Sequence, residues 1–222
     1  MSIQTQIDRI GGAVSEQSDL IRQIKTALAG KAVVGGSDLP TGYRRVDYIE
    51  LNGKQLVDTG IIGNQDTRIR SNFTWGGSVQ NHLFGCASSD NTASITSYMN
   101  GSWRFGNKSA SKTIGKNNTD LPYSVLLDNT TIGVTGNRTT ISDVPDFETI
   151  ATLLLGGARN ADGELPGSGL VGRVFDFRIW DNGTLVREMI PVTDGSMYRF
   201  WDSVSKTFFD SITDVPLEGG NV

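Results

Sequence analysis

The stretch "GRVFDFRIWDNGTLVREMIPV" (172–192) decides the fold class. Phe175, Phe177 and Ile179 alternate with Asp176, Arg178 and Trp180. That is the period of a strand with one buried face and one wet face. Asp181-Asn182-Gly183 then provides the residues of a tight hairpin turn. The same grammar runs outward in both directions. "VDYIELNGKQLVDTG" (46–60) reads as two strands around Asn52-Gly53, again the strongest short hairpin signal. "TRIRSNFTW", "NHLFGCAS", "ASITSYM", "SWRFGN", "YSVLLDN", "TTIGVTG", "TLLLGGA", "YRFWDSV" and "TFFD" follow with turn residues between them. About a dozen short strands with no helix between them predict an all-β, antiparallel two-sheet sandwich over residues 39–222.

The N-terminal residues obey a different period. Ile7, Val14, Ile21 and Leu28 fall on a heptad positions, and Ile3, Ile10, Gln17 and Ile24 on d positions. A stripe this narrow is a coiled-coil seam, because a helix lying on a globular core shows a broader apolar face. Isoleucine at both a and d favours three or more strands, and one polar core residue such as Gln17 fixes register. Gly11 and Gly12 fall off the seam, at e and f, where each costs about 1 kcal/mol of helix propensity. The expectation is a homotrimeric coiled-coil stalk over 1–29, roughly 39 Å long at the α-helical rise. A helix docked on its own domain or on another protein, and a different oligomer, stay open as alternatives. Gly30, Gly35-Gly36 and Pro40 mark residues 30–38 as a Gly-rich linker.

Composition excludes several functions. The 222 residues carry a net charge of −4, with the 20 Lys and Arg scattered, so no nucleic-acid face is expected. One cysteine, Cys86, and one histidine, His82, rule out an internal disulfide and a Cys/His zinc site. Ile3, Ile7 and Ile10 are split by polar residues, so the first twenty residues lack a signal peptide's apolar core. No run of 18 apolar residues predicts a membrane span. Synthesis in a cytoplasm without general secretory export is expected.

Two segments together carry a resemblance. "LPTGYRRVDYIELNGKQLVDTGI" (39–61) resembles the opening of the laminin-G/concanavalin-like jelly-roll domains of phage and prophage structural proteins. "GLVGRVFDFRIWDNGTLVREMIPV" (169–192) resembles their late strand pair, and "YRFWDSVSKTFFD" their closing segment, with Phe-Trp where a Leu-Tyr type pair is common. The resemblance covers about residues 39–218 and implies a jelly-roll head on a virion appendage, a fibre or capsid decoration. It also implies a virion location and attachment to other virion proteins through the N-terminus. The function it leads to is host attachment through lectin-like heads that bind glycans by avidity. The rival is a purely structural capsid or tail spacer or clamp, and a glycoside hydrolase comes third.

Sugar sites use aromatics that stack on a ring face, with Asn, Asp and Arg for its hydroxyls. The candidates are Trp75, Asn81, His82, Tyr98, Asn100, Trp103 and Arg104, with Trp103 expected at an exposed tip after a Gly-Ser turn. No cofactor is expected apart from an open place for calcium at Asn160 and Asp162 in the Gly-rich "NADGELPGSG" loop. Catalysis is not expected. "VPDFE" (144–148) matches a hydrolase strand only in part, with Val144 where the first carboxylate belongs. A Ser-His-Asp or Cys-His arrangement would have to use His82, and no Gly-x-Ser-x-Gly elbow occurs. Seven Asn-x-Ser/Thr sequons, at Asn72, Asn100, Asn107, Asn117, Asn129, Asn137 and Asn182, are ascribed to Asn/Thr-rich strands and turns.

Overall fold

The computed structural model describes residues 39–76, 81–87, 93–98, 102–111, 122–160, 162 and 169–220. The chain divides into two units, Met1–Pro40 and Thr41–Val222. The stalk and linker expected over 1–38 lie outside the described residues, as do all eight seam positions from Ile3 to Leu28.

The second unit is all-β, with no helix among the described residues. Its strands in chain order begin with β1 (Arg44–Arg45), β2 (Tyr48–Asn52), β3 (Val57–Asn64), β4 (Arg68–Trp75), β5 (His82–Ala87) and β6 (Ser94–Tyr98). Next come β7 (Ser102–Gly106), β8 (Lys108–Ser111), β9 (Tyr123–Leu127), β10 (Thr131–Val134), β11 (Asn137–Thr140) and β12 (Glu148–Leu155). The last are β13 (Val171–Asp181), β14 (Thr184–Thr193), β15 (Tyr198–Asp202), β16 (Thr207–Phe209) and β17 (Glu218–Gly220). They form two antiparallel sheets. The larger runs β11-β10-β9-β4-β13-β14-β15-β16, with β2 on the early half of β13, β17 on β2 and β1 on β14. The smaller runs β3-β12-β5-β6-β7-β8.

The inner faces share one core, as in a β-sandwich. Ile69 and Phe73 of β4, Phe177 and Ile179 of β13 and Phe200 of β15 are buried from the larger sheet. Phe84 of β5, Ile95 of β6, Trp103 and Phe105 of β7 and Leu153 and Leu155 of β12 are buried from the smaller. Phe84 joins the two, 5.7 Å from the Phe177 ring and 6.4 Å edge-on to Trp103. Aromatic contacts of this kind add specificity to a core whose stability comes from apolar burial.

The late hairpin forms as its pattern predicts. Asp181 pairs with Thr184, and Asn182 and Gly183 have φ of 44° and 74°. Both central residues are left-handed, the condition for a turn whose twist matches its strands. The alternation fails at one residue. Phe175 does not share the core face of Phe177. The ladder to β4 steps from Val174–Phe73 to Asp176–Asn72, which leaves Phe175 as the extra residue of a β-bulge. Val174 takes the buried place, and Phe175 packs edge-on against Tyr48 instead, 6.0 Å away. Asp176 caps the irregularity by accepting hydrogen bonds from the Asn72 backbone N–H at 3.2 Å and from Asn72 Nδ2 at 2.6 Å.

The other Asn-Gly signal does not make a hairpin. β2 pairs with β13 and β17 in one sheet, while β3 pairs with β12 in the other. Gly53 is left-handed at φ 89°, but Asn52 is not. The turn therefore lacks the geometry that zips two strands, and it carries the chain from sheet to sheet. Gln55 fixes the crossing from a fully buried position. Its Oε1 accepts from the Asn52 N–H at 2.8 Å and its Nε2 donates to the Pro216 carbonyl at 3.2 Å.

Candidate functional site

The residues expected to bind sugar separate into three groups. Trp75 and Trp103 are core residues, 2% and 0% exposed. Trp103 therefore sits at no exposed tip. Its position alternates with Arg104, and the inward phase of β7 carries its indole to Phe84. Asn81 is also buried. His82 and Tyr98 do come together as cross-strand partners of β5 and β6, with ring centroids 4.5 Å apart. Burial holds the imidazole down to about 4, so it is neutral near pH 7. Arg104 lies half-buried opposite Thr96. Asn100 lies outside the described residues.

The remaining chemical candidates are equally separate. Cys86 is buried, and desolvation pushes its thiol up to about 11, which makes it an unreactive core group. Asp162 is exposed and Asn160 half-buried, while residues 161 and 163–168 of that loop lie outside the described residues. Among the described residues no group of three or more His, Cys, Asp or Glu is placed to hold a metal ion. Asp146 and Glu148 are both exposed, and Phe147 between them turns inward against Phe105 at 5.4 Å.

A cleft of about 350 Å³ lies at one end of the larger sheet, lined by Gln65, Asp66, Thr67, Arg68, Asp128, Asn129, Trp180, Asn182 and Gly183. Three turns build it: β3–β4, β9–β10 and β13–β14. The first two are set by a short polar side chain that folds back on its own backbone, the third by the left-handed Asn182 and Gly183. Asn64 Oδ1 accepts from the Asp66 N–H at 2.8 Å. Asp128 Oδ1 accepts from the N–H groups of Thr130 and Thr131 and from the Thr130 hydroxyl, at 2.9, 2.8 and 2.7 Å. Asn64 Nδ2 donates to Asp181 Oδ1 at 3.1 Å and so ties the first turn to the third.

Trp180 supplies the aromatic wall. It faces Arg68 across the β4–β13 ladder, and the guanidiniums of Arg68 and Arg70 lie 5.6 and 5.9 Å from its ring. Arg68 Nε lies 3.8 Å from Asp128 Oδ2, too far for a hydrogen bond, and is buried without a partner. The exposed Asn129 and Asn182 bring amide groups that both donate and accept. An indole face with planar polar groups at its rim suits a saccharide, which has an apolar C–H face and hydroxyl edges. Two carboxylates line the cleft: Asp128, whose Oδ1 is committed to its own turn, and the exposed Asp66, which accepts from Gln65 Nε2 at 3.2 Å.

No family model matches the chain, and no curated protein matches it. Sequence reasoning passed over Trp180, although a signal was present. The alternation of 175–180 put this indole on the wet face beside Asp176 and Arg178, where a charged or polar side chain is ordinary. A single aromatic on the polar phase of a strand is ordinary by itself; its place beside two guanidiniums in a cleft is what singles Trp180 out.

Proposed function

We propose that this chain is a virion structural protein, a trimeric fibre or capsid decoration whose β heads bind glycans on a host or environmental surface. The observation that carries the binding half is the Trp180 cleft, with its indole, two free amides and arginine edge. The two-sheet all-β unit supports the head, and its finer description is the jelly-roll of laminin-G/concanavalin-like domains. The Ile3–Leu28 seam supports the trimer. Three copies of a millimolar site gain about a hundredfold or more in avidity when they engage one surface. The head acts by binding, without catalysis.

A glycan array probed with the full chain tests this reading. Binding that Trp180→Ala removes supports the lectin-like head. Absence of binding to any glycan overturns it and leaves the structural spacer.

A further inference from the structure

The cleft opens beside a cationic surface in a protein whose net charge is −4. Following the ladder register across the outer face of the larger sheet, one row reads Arg138, Gly133, Leu126, Arg70, Arg178, Glu188. The neighbouring row places Arg68 against Trp180. Arg178 is ion-paired with Glu188 at a partly exposed site, Nε to Oε1 3.0 Å, which offsets only part of its charge, and Arg68 is weakly compensated by Asp128. Arg70 and Arg138 are exposed and have no carboxylate within ion-pair distance among the described residues. Like charges directly opposite each other on a ladder destabilise a sheet, and Arg70 stands directly opposite Arg178. Desolvation, then the charges of Arg68 and Arg138, lower the Arg70 guanidinium from its ordinary value. A bound anion offsets the mutual repulsion of Arg68, Arg70 and Arg138.

We propose that the Trp180 cleft selects an acidic saccharide, whose ring sits against the indole while its anionic group is held by Arg70 with Arg68 and Arg138 around it. This rests on the glycan-binding reading and names its substrate class. A planar guanidinium matches a carboxylate or a phosphate with two parallel N–H donors, which ties the anion to a defined position on the sugar. The shared chemistry is a fixed anion on a pyranose, and its two sources are uronic acids and phosphate-bearing glycans.

Titration of the full chain with oligogalacturonate, with its uncharged methyl ester and with a phosphomannan oligosaccharide, whose phosphate sits on a pyranose, tests the proposal. At least one anionic probe is expected to bind about tenfold or more tighter than the ester, the difference shrinking as salt rises. Arg70→Gln is expected to erase that preference while weak binding of the ester survives, and Arg138→Gln to reduce it. Trp180→Ala is expected to remove binding of all three. Preference for the carboxylate or for the phosphate probe identifies the anion, and either supports the inference. Equal binding of charged and uncharged probes, unchanged in Arg70→Gln, overturns it and leaves the glycan reading standing. If these probes and a neutral glycan panel all fail to bind, both fall.

Discussion

Arg70 of β4 lies directly opposite Arg178 of β13, two cations paired across one ladder with Trp180 beside them. Glu188 offsets part of the Arg178 charge, so the pairing works against the fold by on the order of 0.2–0.5 kcal/mol. Replacing Arg70 by Thr, a good strand former, is therefore expected to raise stability by about that amount in low salt. The gain fades at high salt as the charges are screened. Urea unfolding at two ionic strengths measures it. Unchanged or lowered stability in low salt contradicts the repulsion.

Trp180 and Trp103 separate binding from folding. Trp103→Ala removes a fully buried indole and is expected to cost about 3–5 kcal/mol. Trp180→Ala loses a half-buried ring and its cation contacts, on the order of 1–2 kcal/mol, yet it is expected to abolish saccharide binding. Denaturant midpoints and a binding titration on both variants check the contrast. The assignment of the cleft fails if Trp180→Ala binds as the parent does.

His82 makes stability depend on pH. The unfolded chain takes up a proton near 6.5 and the folded chain only near about 4, so protons favour unfolding. The stability contributed is complete above about pH 6.5 and declines as pH falls. It levels off once the folded imidazole itself protonates near about 4. Between about pH 7 and about pH 5 the loss is on the order of 2 kcal/mol. His82→Gln, which removes the only imidazole of the chain, is expected to flatten that part of the profile. A variant with the parent's slope shows that other groups cause it.

The two Asn-Gly pairs are predicted to respond differently. Asn182 is left-handed, and alanine there is expected to cost about 1–2 kcal/mol. Asn52 has ordinary backbone geometry and makes one exposed side-chain hydrogen bond, at 3.3 Å to the Lys54 N–H. Asn52→Ala is expected to stay within about 0.5 kcal/mol. Thermal unfolding of the two variants distinguishes them, and equal costs contradict the turn geometry.

The stalk is tested by mass in solution. Light scattering of the full chain is expected to give a trimer, and residues 38–222 a monomer. The same oligomeric state for the two disposes of the isoleucine seam as the assembling element.

The sequence by itself determined most of the strands and one of their turns, but not the short β1, β8 and β17. Alternation placed Phe177 and Ile179 inward and Arg178 and Trp180 outward, because side-chain direction in a strand depends only on local backbone geometry. Asn182-Gly183 became a hairpin because both residues tolerate the left-handed conformation. Tertiary structure alone decided which strand lies beside which. Asn52-Gly53 carries the same dipeptide, yet β13 occupies the edge of β2 that a hairpin partner would need. The bulge at Phe175, the burial of Trp103 and the meeting of three turns around Trp180 were settled in the same way. These depend on contacts between residues far apart in the chain, and local patterns carry no record of them.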